Sequence, residues 1–137
     1  MDQSTRPPGA PLWLRFLAIG VGIFTLLWLP IEDTSEITAI IFAVLIVGLF
    51  ALHSTYKNQF INKTIWHAII GALSGTVVIP IALFLAAFKT GLHQHGIPDF
   101  STEQVFSTLS KMPYFVLGGL SIGLGNGIWQ SSRKPNN

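Results

Sequence analysis

The chain contains no cysteine, and only 10% of its 137 residues are charged. Without a thiol it can form no disulfide, thiolate metal site, iron–sulfur cluster or cysteine nucleophile. Ordinary soluble domains carry roughly 25% charged residues, so this composition argues against an ordinary soluble surface. The formal net charge of +2 is too small and too dispersed to indicate nucleic-acid binding. Chemistry is therefore left to four histidines and six acids.

The sequence motifs of zinc hydrolases and nucleotide-binding loops, and the buried charges of active transporters, are also missing. The chain has neither the His-Glu-x-x-His sequence of zinc hydrolases nor the Gly-x-x-x-x-Gly-Lys sequence of nucleotide-binding loops. No Asp or Glu lies inside an apolar run, and the only basic residue within one is Arg15, at its edge. Because transporters and proton relays place ionisable residues within their spans, we predict that the chain is neither an active transporter nor an enzyme.

Four apolar runs fill most of the chain. They predict helices over residues 12–29, 36–56, 64–88 and 113–130. The first run would span about 27 Å as a helix, close to the roughly 30 Å hydrocarbon core. No Ala-x-Ala cleavage site follows it, so we interpret it as a retained helix. The predicted fold is an all-α integral membrane bundle of four transmembrane helices over residues 12–130, between a disordered tail at 1–11 and a C-terminal tail at 131–137.

Local signals refine three of these boundaries. Asp33-Thr-Ser-Glu36 predicts an N-cap with a capping-box glutamate for the second helix. Pro80 lies inside the third run and predicts a kink there. After the third run, the connection contains the predicted turn residues Gly91, Gly96 and Pro98.

A second capping box, Ser101-Thr-Glu-Gln104, predicts a short helix over residues 102–111 in the same connection. Its apolar residues share one face, namely Val105, Phe106, Leu109 and Met112. Such a face suits a helix lying in the membrane interface. A helix packed on its own bundle is the alternative.

The distribution of Lys and Arg predicts the orientation in the membrane. Six basic residues fall on one side: Arg6, Arg15, Lys57, Lys63, Arg133 and Lys134. The other side receives two, Lys89 and Lys111. Since cytoplasmic loops carry the excess of basic residues, both termini are predicted to be cytoplasmic. The predicted location is the bacterial inner (plasma) membrane, which the protein would cross several times.

Small residues at four-residue spacing predict where the helices pack, because close backbone approach drives helix association in a bilayer. The predicted packing residues are Gly71 and Gly75 in the third run and Gly119, Gly123 and Gly127 in the last. Ala82 and Ala86 continue the third run, and Ala18 and Gly22 lie in the first. The last helix could contact either another helix of this chain or a second protein.

Histidines are the candidate ligands. His93 and His95 form a His-x-His pair in the outer connection, with Asp99 downstream, and such groups bind divalent transition metals. The alternative is a surface loop whose histidines bind backbone. His53 and His67 lie near the cytoplasmic ends of helices two and three and could face each other around a tetrapyrrole. Ordinary interfacial histidines are the alternative there, and we expect no cofactor.

The stretch Ala87-Phe-Lys-Thr-Gly-Leu-His-Gln-His-Gly-Ile-Pro-Asp-Phe100 resembles a loop of small uncharacterised membrane proteins of cyanobacteria. This resemblance covers about a tenth of the chain and implies no site. It does imply the thylakoid membrane as an alternative location, in which case the outer side is the lumen.

These observations favour a non-enzymatic accessory, assembly or stabilising subunit of a larger membrane complex. Its predicted partners are the lipid bilayer and either a membrane protein or a second copy, bound through the last helix. The competing hypothesis is a membrane protein that binds a metal or tetrapyrrole at the outer His-x-His loop.

Overall fold

The computed structural model describes residues 11–31, 35–57, 64–93 and 100–132. These residues form an all-α fold, whose helices are α1 (Leu12–Trp28), α2 (Glu36–Lys57), α3 (Thr64–His93), α4 (Thr102–Ser110) and α5 (Met112–Ser132). Of the predicted metal site in the outer loop, His95, Asp99 and the side chain of His93 lie outside the described residues.

The four long helices alternate in direction and stand in a row. The closest packing joins α1 to α2, α2 to α3 and α3 to α5. Helix α3 therefore lies in the interior of the row, whereas α1 and α5 lie at its two ends. One end of the bundle carries Trp28, Glu36, Lys89 and Lys111, which contact one another in two groups. We refer to it as the outer end, after the predicted orientation.

Two apolar clusters hold α2 against its neighbours. Toward the middle of the bundle, Ile40, Ala43 and Val47 of α2 pack on Val78 and Ala82 of α3. Ala82, which the sequence grouped with the third run's glycines, thus faces α2. Nearer the outer end, Trp28 of α1 and the C-cap residue Leu29 pack with Ala39 of α2 and Leu85 of α3.

Helix α3 extends five residues beyond its predicted end at residue 88, so the predicted turn at Gly91 is wrong. Two contacts account for the extra turn. The Thr90 hydroxyl donates a hydrogen bond to the carbonyl of Ala86 at 3.1 Å, and the Lys89 side chain is fully buried, with its ammonium 4.3 Å from the Trp28 ring centroid. The helix also continues through Pro80.

The short helix α4 begins at the predicted capping box, which the structure confirms. The Gln104 backbone N–H donates to Ser101 Oγ at 3.2 Å, and the Ser101 N–H donates to Gln104 Oε1 at 2.8 Å. Thr108 is buried toward the bundle, whereas Phe106 and Leu109 are exposed on the other side. Helix α4 therefore packs on its own bundle through the face that carries Gln104, Val105 and Thr108, and presents Phe106 and Leu109 outward.

Within the described residues, α2 and α3 are long and apolar enough to cross a membrane, over Glu36–Thr55 and Thr64–Leu92. Helix α1 is apolar but has only 17 residues. Helix α5 has 21 residues, but it does not meet the same standard of length and hydropathy. Two described helices therefore meet both criteria, whereas the apolar runs predicted four spans.

Candidate functional site

The closest contact in the molecule lies between α3 and α5, and all five predicted packing glycines are part of it. Gly71 and Gly119 face each other's carbonyl groups, and Gly123 faces the carbonyl of His67. Gly75 meets the backbone of Phe115, so a glycine is opposed there by the main chain of a larger residue. Partner numbers fall along α5 as they rise along α3, which makes the pair antiparallel.

The approach is so close that no side chain could be accommodated. A Cβ built on Gly71, Gly75, Gly119 or Gly123 would lie nearer to backbone oxygen than the 3.0 Å that real Cβ atoms respect. At Gly127 it would lie 2.8 Å from the Cα of Thr64. Backbones this close make Cα–H···O contacts, each worth roughly 0.5–1 kcal/mol. The glycine stripe of α5 therefore packs against α3 of the same chain.

The other face of α5 is a second series of small residues. Gly118, Ser121 and Gly125 are exposed, and a Cβ at either glycine would meet nothing within 4 Å.

Gly119 to Gly123 also has the Gly-x-Ser-x-Gly pattern of serine hydrolases. Here it lies within a continuous helix rather than on a strand-to-helix turn, and the Ser121 hydroxyl donates to the carbonyl of Leu117 at 2.8 Å. This geometry does not support a hydrolase nucleophile.

At the outer end, a polar cluster ties α4 and the start of α5 to α2. The Lys111 ammonium donates to Glu36 Oε1 and to Ser107 Oγ, the latter at 3.1 Å. The Thr108 hydroxyl donates to Glu36 Oε2 at 3.0 Å. Sequence reasoning interpreted Glu36 as a capping residue for Asp33, which lies outside the described residues. Among the described residues, the Glu36 carboxylate binds side chains more than 70 positions away, which no local pattern indicates.

The burial of Lys89 is not indicated by the sequence, which predicts this residue in the outer connection. Its side chain is fully buried against Trp28. Trp28 is itself only 5% exposed and stacks obliquely on Phe42, with ring centroids 5.0 Å apart. A cation over a desolvated indole face is worth about 2 kcal/mol. The lysine and the tryptophan therefore join the outer end of α1 to the last turns of α3.

The candidate ligand residues are not brought together in the described part of the chain. His53 is exposed and lines a groove between α1 and α2. His67 is buried, 5% exposed, and its backbone carbonyl faces Gly123. His53 and His67, both among the described residues, do not hydrogen-bond to each other. His95, Asp99 and the side chain of His93 lie outside the described residues.

Among the described residues, no group of three or more His, Asp or Glu side chains could hold a metal ion.

The small-residue pair of α1, Ala18 and Gly22, makes no close contact with another described helix. Both residues line the groove between α1 and α2, whose volume is about 480 Å³. A Cβ at Gly22 would meet nothing within 4 Å. Small residues at the same spacing therefore close one interface and leave another open.

Comparisons with family models, with curated proteins and with solved structures gave no match for this chain.

Proposed function

We propose that this chain is a four-span integral membrane protein that acts as a non-enzymatic accessory, assembly or stabilising subunit of a larger membrane complex. The location proposed is the bacterial inner membrane, with both termini cytoplasmic. The thylakoid membrane is the alternative that the cyanobacterial resemblance implies.

Membrane insertion is supported by the way α5 is attached. Helices α3 and α5 meet through glycine backbones rather than through interlocking large side chains. That contact supplies van der Waals packing without needing a hydrophobic driving force, as helix pairs in lipid require. The large apolar residues of α5, such as Leu117, Ile122 and Ile128, are instead exposed on its outer surface. In lipid that exposure has no cost.

The two remaining spans are long enough by geometry. Helix α1 has 17 residues and α5 has 21, and a transmembrane helix needs roughly 17–25. The mean hydropathy of α5 is lowered by its glycines and by Asn126, which are not large apolar residues. Glycines on the α3 face are covered by protein, so they do not weaken the lipid-facing surface.

A role as a subunit is supported by the face of α5 that remains open. The stripe of Gly119, Gly123 and Gly127 is occupied by α3. Any partner of this helix must therefore use the opposite face, where Gly118, Ser121 and Gly125 permit a backbone approach. This exposed second small face is the single observation that carries the subunit proposal.

Membrane topology is tested with the full-length protein in its membrane. Reporter fusions at Asn137 and within residues 96–101 should report the cytoplasm and the exterior respectively. Resistance of the protein to alkaline carbonate extraction tests insertion independently. Release by carbonate would reject insertion, and two reporters on the same side would reject the four-span topology.

The subunit role is tested by mild-detergent co-purification of the wild type, Gly125→Leu and a control, Gly20→Leu on α1. A genuine partner should be stoichiometric with the wild type and the control, and should be lost from Gly125→Leu. Equal recovery from all three variants would exclude the open face of α5. Metal analysis and an absorbance scan of the same samples test the competing metal or tetrapyrrole hypothesis.

A further inference from the structure

A groove runs between α1 and α2 along the side of the bundle. Five residues of α1 and four of α2 line it, and all of them except Arg15 and His53 are apolar or glycine. Its volume of about 480 Å³ falls within the roughly 300–1,000 Å³ typical of small-molecule sites. It is an open groove along the side of the bundle rather than a closed cavity.

Helix α1 is buried at Leu14 near its start and packs tightly again at the outer end. There Trp28 packs against Phe42 and Lys89. Farther along α1, Ala18 and Gly22 present almost no side chain toward α2, and nothing lies within 4 Å of a Cβ placed at Gly22. The large side chains of α2, such as Phe50, form the opposite wall.

The two polar lining residues lie at the same end of the groove. Arg15 is near the start of α1 and His53 is near the end of α2, and the two helices are antiparallel. Both side chains are exposed, and neither makes a hydrogen bond within the described residues. From Arg15 to Gly22 the apolar wall extends about 10 Å along the helix axis.

We propose that this groove binds an anionic phospholipid. An acyl chain lies along Ala18 and Gly22, and the phosphate is bound by Arg15 with help from His53. The guanidinium fork matches phosphate geometry, and an imidazole N–H donates one further hydrogen bond. Basic pockets between transmembrane helices on the cytoplasmic side bind anionic headgroups. The inference rests on the proposed membrane insertion and on its orientation.

Charge complementarity is the reason for an anionic lipid. The groove contains a cationic residue at the depth of the headgroups and no acid. A zwitterionic lipid would bring its own positive group beside Arg15, whereas phosphatidylglycerol would not. One basic residue near an anionic surface is worth roughly 1 kcal/mol, so we expect about a fivefold preference for the anionic lipid.

The test uses the full-length protein in detergent micelles mixed with phosphatidylglycerol or phosphatidylcholine. Native mass spectrometry counts the bound lipids, and thermal unfolding measures their stabilising effect. The wild type should retain one phosphatidylglycerol preferentially and unfold at a higher temperature with it than with phosphatidylcholine. Inorganic phosphate in place of lipid should give no stabilisation, because it has no chain to fill the groove.

Two variants and two controls locate the bound lipid. Gly22→Leu fills the groove and should abolish retention. Gly20→Leu adds the same side chain to the same helix, at a position that has open space and does not line the groove, and it should bind as the wild type does. Arg15→Gln should bind both lipids equally, and Arg15→Lys should keep part of the preference.

Equal retention by the wild type, Gly22→Leu and Arg15→Gln would overturn the proposal, as would stabilisation by phosphate alone. If Gly22→Leu fails to fold, loss or persistence of the lipid preference in Arg15→Gln decides the matter. Membrane insertion is judged separately by carbonate resistance. A carbonate-resistant protein without lipid preference would reject this inference and leave the proposed function standing.

Discussion

The α3–α5 contact and the α1–α2 contact contain the same kind of small-residue pattern but differ in how closely the two backbones approach. Each contains small residues four positions apart, Gly71–Gly75 in α3 and Ala18–Gly22 in α1. In the first contact the backbones touch at every glycine, and in the second a groove of about 480 Å³ separates the helices. A small-residue spacing therefore permits close approach without producing it.

What differs is the surface that each small-residue pair meets. Gly71 is opposed by Gly119 and Gly123, so both backbones can approach. Ala18 and Gly22 face no small residue on α2: the opposite wall of the groove carries large residues, including Ile46 and Phe50. Close packing needs small residues on both helices, or a backbone turned toward the glycine as at Phe115.

The largest effect is expected from Gly123→Leu, in the closed contact. The added side chain would collide with the backbone at His67 and Ala68, and overpacking of this kind should cost about 3 kcal/mol or more. Thermal unfolding in detergent measures the loss. Gly125→Leu, two residues away in open space, is the matched control and should unfold close to the wild-type temperature. Equal melting temperatures would show that α3 and α5 are not held by this stripe.

Trp28→Ala should release α1 while leaving the closed contact intact. Removal of a tryptophan that is 5% exposed should cost about 3 kcal/mol, and it also removes the indole beneath Lys89. Hydrogen exchange should become faster in α1 and remain slow in α3 and α5. Trp13→Ala on the same helix removes a ring that is 58% exposed and should change little. Uniform acceleration across all helices would contradict a local anchor.

The same substitution should act with opposite sign in the two contacts. Gly71→Ala places a methyl group against the Gly119 backbone and should destabilise the protein by about 1–3 kcal/mol. Gly22→Ala adds a methyl group in open space and should stabilise helix α1 by up to about 1 kcal/mol, because glycine is a poor helix former. Measured unfolding shifts of the same sign would remove the distinction between closed and open contacts.

The polar cluster at the outer end should give the smallest effect. The Glu36 and Lys111 side chains are 23% and 33% exposed, so solvent screens part of their attraction. A double-mutant cycle with Glu36→Gln and Lys111→Met should give a coupling of about 1 kcal/mol that falls in high salt. Zero coupling would mean that α4 is held by Phe100 and Val105 rather than by charge.

Much of the fold could be predicted from local patterns. The four apolar runs became the long helices, and the Ser101–Gln104 capping box begins α4 as predicted. These features depend on neighbouring residues in the chain, so sequence is sufficient. The end of α3 could not be predicted in this way, because Lys89 near that end packs its ammonium over the ring of Trp28, a residue of another helix.

The candidate sites show the same division. Sequence identified Gly119, Gly123 and Gly127 as residues able to pack closely, since the absence of a side chain is a property of the residue itself. Only the tertiary structure decided that α3 is their partner, because that depends on which surface is brought opposite. The same reason explains why Ala18 and Gly22 line a groove, and why Glu36 binds Lys111. Composition and spacing determined which helix faces permit close backbone approach. Tertiary packing determined which helix each of those faces contacts.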